Sequence, residues 1–130
     1  MTKHVVFGAG LIGGYLAGVL LSQGRDVSVV ARESVQAKLQ NGLRLSDYHG
    51  HEASVSAPNF VDAESAAADY LWLTVKCTGI DAALEQLGNL VGPNTRILCC
   101  QNGLGSERAV KAKYAANEVL RVMVQFNVVE

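Results

Sequence analysis

The sequence predicts an α/β fold, a Rossmann-type doubly wound, mostly parallel sheet with helices on both faces. Three observations carry this. Strand-like and helix-like patterns alternate along the whole chain. The first strand-like run, residues 4–7 (HVVF), is apolar enough to be buried on both sides. Glycines crowd the turn between that run and the following helix (GAGLIGG).

Each element follows in order. The helix expected over residues 11–23 places Ile12, Leu16, Val19 and Leu20 along one apolar face, and Gly24 stands where a helix-ending glycine usually falls. Residues 27–31 read as the second strand. Ser34 is placed to cap a short helix through Gln40, closed by Gly42. Residues 43–46 and 52–56 read as two short strands around a turn at 47–50. A small helical segment is expected over residues 63–68, leading to a strand over 70–75. Thr78 and Asp81 have capping-box spacing, with Asp in place of the usual Glu or Gln. Behind them Ile80, Ala83, Leu84, Leu87 and Val91 form an apolar stripe that Gly92-Pro93 ends. A strand over 96–100, a helix over 106–114 and an extended run over 119–129 complete the pattern. No repeat, low-complexity tract or linker interrupts it, and one domain is expected.

Composition narrows the function. Of 130 residues, 49% are hydrophobic and 18% charged, as in a packed globular domain. Lys+Arg is 11 against Asp+Glu 12, which gives no basic surface for nucleic acid or an anionic membrane. No apolar run approaches the roughly 20 residues that span a bilayer. The segment MTKHVVFGAG enters a strand at once, leaving no room for a signal peptide, so a cytoplasmic location is expected. Cys77, Cys99 and Cys100 lack the spacing of a disulfide framework. The adjacent pair reads as small hydrophobic residues pointing to opposite faces of a strand. His49 and His51 lack further ligands to complete a zinc site and read as part of a polar hairpin turn; no metal is expected. Neither a G-x-S-x-G elbow nor a P-loop GK[ST] is present, which removes esterase and NTPase chemistry.

The glycines point to a nucleotide. Gly8, Gly10 and Gly13 satisfy G-x-G-x-x-G between a strand and a helix, the context in which the pattern has a mechanism. Gly8 allows the sharp turn, Gly10 lets backbone approach a pyrophosphate, and Gly13 lets the helix pack close to the strand. The helix N-terminus then offers free N–H groups to the phosphates. NAD-binding domains usually place Asp or Glu after the second strand, to accept from the ribose 2′-hydroxyl. Here the strand ends in Ala31-Arg32, and a guanidinium fits a 2′-phosphate that a carboxylate would repel. Glu33 is one residue later and would approach the ribose in a shifted register. The balance favours NADP over NAD.

Two landmarks lie at later strand ends. Lys76 follows the strand over 70–75, and Asn102 follows the strand over 96–100. Ligands of open α/β sheets sit outside the carboxyl ends of the strands, so both can reach a nicotinamide half or its substrate. Lys76 can donate to ribose hydroxyls or a substrate carboxylate, and Asn102 can donate and accept at once.

GAGLIGGYLA at the start, Arg32, TVKC around Lys76 and QNGLG around Asn102 together resemble the N-terminal domain of the ketopantoate reductase (2-dehydropantoate 2-reductase) family. The likeness covers essentially the whole chain and includes Asn41-Gly42-Leu43-Arg44-Leu45. It implies NADPH-dependent reduction of a 2-keto acid to a 2-hydroxy acid, in pantothenate and coenzyme A biosynthesis. By the resemblance, Gly8, Ala9, Gly10, Leu11, Ile12 and Gly13 would hold the pyrophosphate and Arg32 the 2′-phosphate. Lys76 and Asn102 would sit at the nicotinamide end, with Asn102 also near substrate. Gly79 stands where the family often has a glutamine. The family's general acid, a lysine, and a substrate-binding glutamate lie in a second, helical domain. No catalytic residue is therefore expected here, and the chain reads as the cofactor domain of a longer enzyme. Apolar surface left by a missing domain would favour self-association, as in a homodimer. Two other readings stay open: another NADP-dependent 2-keto acid reductase, and a non-catalytic dinucleotide-binding regulatory module.

Overall fold

The expected first strand forms, and the sheet is built outward from it in both directions. The computed structural model describes residues 2–8, 10–47, 49–61, 66–101, 105–123 and 128, with Cys77 described by its backbone alone. The elements are β1 (Lys3–Phe7), α1 (Leu11–Ser22), β2 (Asp26–Val30), α2 (Glu33–Leu39), β3 (Leu43–Ser46), β4 (Glu52–Val55) and β5 (Asn59–Phe60). They continue with β6 (Tyr70–Leu73), α3 (Ile80–Gln86), β7 (Arg96–Cys99), α4 (Ser106–Lys113) and β8 (Val119–Arg121).

Six strands make one parallel sheet in the order β5-β2-β1-β6-β7-β8. The chain winds outward from β1 through β2 to β5, then returns to lay β6 beside β1 and winds the other way. The topological switch point therefore falls between β1 and β6, where doubly wound sheets open a ligand crevice. Register places Val5 beside Ser28 and Leu71, and Val6 beside Val29 and Trp72. Alternate residues of β1 feed opposite faces. Val5 and Phe7 pack with Leu71, Leu73, Ile80, Leu84 and Leu87, whereas Val6 packs with Ala17, Val27, Val29 and Leu39. Both faces are thus covered by helices, as expected of a parallel sheet.

Several local expectations are corrected. The buried face of α1 is Gly13, Ala17 and Gly18, while Ile12, Leu16, Val19 and Leu20 are only partly buried. The reason is proximity: a Cβ on Gly18 would lie 2.7 Å from Leu45 Cδ1, so only a small-residue face can approach the β3–β4 hairpin. Ser34 does not cap α2; the N-cap is Arg32, and the helix already runs from Glu33. Thr78 does not cap α3, because Cys77–Gly79 forms a 3₁₀ turn and Gly79 becomes the N-cap. The stripe through Leu87 is buried as expected, but α3 ends at Gln86 and a second 3₁₀ turn, Gly88–Leu90, carries the chain onward.

Ala66 to Ala68 are not helical, and the rest of the segment expected over 63–68 lies outside the described residues. The strand expected over 70–75 stops at Leu73. Of the run expected over 119–129, Val119–Arg121 is strand. β5, unexpected from sequence, pairs Asn59 with Ser28 and Phe60 with Val29. The hairpin is as expected, antiparallel, with Asp47 Oδ1 accepting the N–H groups of His49 and His51 at 2.9 and 3.0 Å. Among the described residues no helix is long and apolar enough to cross a membrane.

Candidate functional site

The carboxyl ends of β1, β2, β6 and β7 line up at one edge of the sheet, and the sequence-marked residues leave from them. Gly8 follows β1 with φ +97°, the left-handed region that favours glycine. Its N–H donates to Val30 O at 3.0 Å, tying the turn to the end of β2. A Cβ there would lie 2.7 Å from Val75 Cγ1. A Cβ on Gly13 would collide with the Gly8 carbonyl and Thr74 Oγ1. Both glycines are therefore demanded by the protein's own packing. Gly10 is different: its φ is −70°, and nothing lies within 4 Å of where its Cβ would be. Neither conformation nor packing requires glycine there, and the open space lets an outside group approach the backbone.

Gly10 is the N-cap of α1, and its carbonyl accepts from Gly14 N at 2.8 Å. No side chain caps the helix, so its first N–H groups and positive dipole end face the same open space. Leu11 is 49% exposed and Ile12 half-buried along that edge. A pyrophosphate fits this arrangement, because the helix start offers N–H donors that no side chain caps. Ala9 lies outside the described residues.

Arg32 leaves the end of β2 in an extended conformation (φ −65°, ψ 154°) and caps α2 through its carbonyl, which accepts from Val35 and Gln36 N at 2.9 Å each. Its side chain is exposed, and among the described residues no partner engages the guanidinium. Glu33 is exposed in the first turn of α2. Gln36, which the sequence did not mark, folds back so that Nε2 donates to Ala31 O at 2.9 Å, fixing the peptide just before Arg32.

On the other side of β1, Thr74 leaves the end of β6. Its hydroxyl lies 3.1 Å from Phe7 O and also contacts Gly8 O. Lys76 is exposed, and its carbonyl accepts from Gly79 N at 2.8 Å. Gln101, at the end of β7, is buried and donates from Nε2 to Leu73 O and Val75 O, both at 2.8 Å. Asn102 lies outside the described residues. The structure thus brings Gly8, Gly13, Thr74 and Val75 into contact. It sets Arg32 and Lys76 on opposite flanks of the glycine turn. Gln36 was missed, and Thr74 and Gln101, though within TVKC and QNGLG, were given no role, because each acts on a backbone carbonyl, which leaves no mark in residue spacing.

Other groups stand apart from this edge. Burial pushes the Cys99 and Cys100 thiols up to about 11, so both stay protonated at neutral pH. A polar hollow at the amino ends of β6 and β7 is lined by Asp69, Tyr70, Asn94, Arg96 and Glu118. Within it Arg96 Nε lies 3.2 Å from Glu118 and Nη1 donates to the Tyr70 hydroxyl at 2.9 Å. No group of His, Cys, Asp and Glu able to hold a metal exists among the described residues.

The model of the family described as ketopantoate reductase PanE/ApbA matches residues 4–130. The 2-dehydropantoate 2-reductase of Mesorhizobium japonicum is 42% identical over 108 residues, covering 78% of this chain and 32% of that protein. The enzyme of the same name from Pyrococcus horikoshii is 29% identical, covering 83% of this chain and 35% of its own length. The crystal structure of a PanE/ApbA family ketopantoate reductase from Ralstonia eutropha superposes with a TM-score of 0.78 at 28% identity, over 91% of this chain and 40% of that one. The chain spans about a third of the length of these curated relatives. Fold, sequence and coverage agree: the chain belongs to the ketopantoate reductase PanE/ApbA family of NAD(P)-dependent oxidoreductases.

Proposed function

We propose that this chain is the NADP(H)-binding domain of a 2-dehydropantoate 2-reductase, which reduces ketopantoate to pantoate in pantothenate and coenzyme A biosynthesis. The observation that carries the reading is Arg32. An exposed guanidinium, unpartnered among the described residues, stands at the end of β2, beside a glycine turn whose middle glycine faces open space. A 2′-phosphate suits that fork, as a ribose 2′-hydroxyl does not.

When bound, NADPH supplies the hydride that reduces the keto carbon. The chain's part is to bind and orient. Gly8, Gly10 and Gly13, with the first N–H groups of α1, hold the pyrophosphate, and Ala9, Leu11 and Ile12 complete that stretch. Arg32 holds the 2′-phosphate by charge-assisted hydrogen bonds. Lys76 brings a positive charge to the nicotinamide flank, where a ribose hydroxyl or the substrate carboxylate accepts from it. Asn102 serves the same flank and the substrate. The proton for the developing alkoxide comes from a second, helical domain of the longer enzyme, so these residues alone bind cofactor and turn over little.

Calorimetric titration of the chain with NADPH and with NADH at low salt tests this reading. A clear preference for NADPH is expected; equal affinities, or no binding of either, would overturn it. For the substrate, turnover of a longer protein carrying this chain should favour ketopantoate over other 2-keto acids.

A further inference from the structure

Gln101 is 5% exposed, and both amide protons are used: Nε2 donates to Leu73 O and to Val75 O, each at 2.8 Å. These carbonyls flank Thr74, whose hydroxyl contacts the Gly8 carbonyl. The same short segment supplies Val75, against which a Cβ on Gly8 would press. One carboxamide therefore pins the end of β7 to the segment that backs the glycine turn. Lys76 is the next residue after Val75, and Asn102 the next after Gln101. The Gln101 side chain thus ties the segment that leads into Lys76 to the residues that follow β7.

The other end of that side chain is costly. Gln101 Oε1 is buried with no hydrogen-bond partner among the described residues. The amide cannot be reversed to relieve this, since Oε1 would then face two carbonyl oxygens. A buried acceptor left unpaired disfavours the fold. An apolar side chain of similar size would avoid that cost but could not bridge the two strand ends. What the amide contributes is geometry.

We propose that Gln101 is a positioning residue for the nicotinamide half of the site, acting by locking Leu73–Val75 to β7. This inference rests on the proposed cofactor reading. In a doubly wound sheet the two mononucleotide halves bind on either side of the switch point. The adenine half then falls on the β2 side with Arg32, and the nicotinamide half on the side of β6 and β7 with Gln101.

The test compares two probes on the full chain, NADPH and adenosine 2′,5′-bisphosphate, which carries the adenine half alone. Gln101→Leu should weaken NADPH about five- to tenfold, as expected for lost hydrogen bonds. It should leave the bisphosphate within about twofold of the wild-type affinity. Losses equal for both probes, or no loss for either, would overturn the positioning role. If Gln101→Leu does not fold, Gln101→Asn decides by the same comparison, because its shorter amide cannot reach both carbonyls. A wild-type chain that binds neither probe would overturn the cofactor reading itself, which separates the two failures.

Discussion

The Thr74 hydroxyl contacts the Gly8 carbonyl across 66 residues of sequence, joining the end of β6 to the turn after β1. Phe7 O also accepts the Thr74 N–H at 3.0 Å and lies 3.1 Å from the same hydroxyl. This bond sets where the Gly8 peptide lies, and Gly13 packs directly on that peptide. Thr74→Val keeps the branched shape and loses the donor. It should cost about 1–2 kcal/mol of stability, the usual result of leaving a carbonyl unpaired. Thr74→Ser should restore most of it. Denaturant midpoints of the three proteins check this, and a Val variant as stable as wild type would show the contact to be incidental.

Gly10 and Gly13 should part company under substitution. A methyl on Gly13 meets the Gly8 carbonyl and Thr74, backbone and held side chain that cannot easily yield. Gly13→Ala should therefore destabilise the fold by about 1–3 kcal/mol, the range for overpacking. A methyl on Gly10 meets nothing within 4 Å. At an N-cap, Ala is less favourable than Gly, but it also restricts the unfolded chain, so Gly10→Ala should change stability by less than about 1 kcal/mol. On the proposed reading it should still lower NADPH affinity by about tenfold or more, because backbone and pyrophosphate can no longer meet. Thermal melting and calorimetry on both variants separate the two kinds of glycine. Unchanged NADPH binding by Gly10→Ala would remove the phosphates from this turn.

These contrasts also mark what a sequence can carry. Alternation of patterns located β1, β2, β6 and β7, because each is a short apolar run between turn residues. The stripe of α3 was legible for the same reason, since Ile80, Ala83, Leu84 and Leu87 bury together. Periodicity could not find the packing face of α1, which is apolar all round; proximity to Leu45 and Gly8 chose the glycines instead. β5, with two residues, is too short to leave a pattern and exists only as a partner of β2. At the site, residues marked by charge or by glycine spacing stood out: Gly8, Gly10, Gly13, Arg32 and Lys76. Those that hold them in place did not. Thr74, Gln36 and Gln101 bond to backbone oxygens, and any residue type supplies such an oxygen.

Arg32 offers the sharpest test of cofactor choice. On the proposed reading Arg32→Ala should weaken NADPH by about 1–3 kcal/mol and leave NADH almost unchanged. Gln36→Ala, which frees the Ala31 carbonyl, should reduce the same preference by a smaller amount, about 0.5–1.5 kcal/mol. Equal losses for both cofactors in Arg32→Ala would detach this residue from the 2′-phosphate.

At the opposite end of the sheet, His4 makes stability depend on pH. It is 8% exposed, stacks on Tyr70 with ring centres 5.1 Å apart, and accepts the Trp72 indole N–H on Nδ1 at 3.1 Å. Burial lowers its pKa from the ordinary 6.5, and the Arg25 charge lowers it further; Asp69 and Asp26 oppose the shift. Because the folded value lies below the unfolded one, the unfolded chain binds the proton more tightly. Stability from neutral His4 is therefore complete above the unfolded value of 6.5 and is lost as pH falls from there toward the folded value. Protonation also places a hydrogen on the atom that accepts from Trp72, so the indole bond is lost with it. Trp72 is the sole tryptophan, so its fluorescence reports unfolding directly. Denaturant midpoints followed by that signal should fall as pH drops below 6.5, and His4→Gln, which keeps an acceptor but does not titrate, should flatten the fall. An equal slope in both proteins would assign the pH dependence to the carboxylates instead.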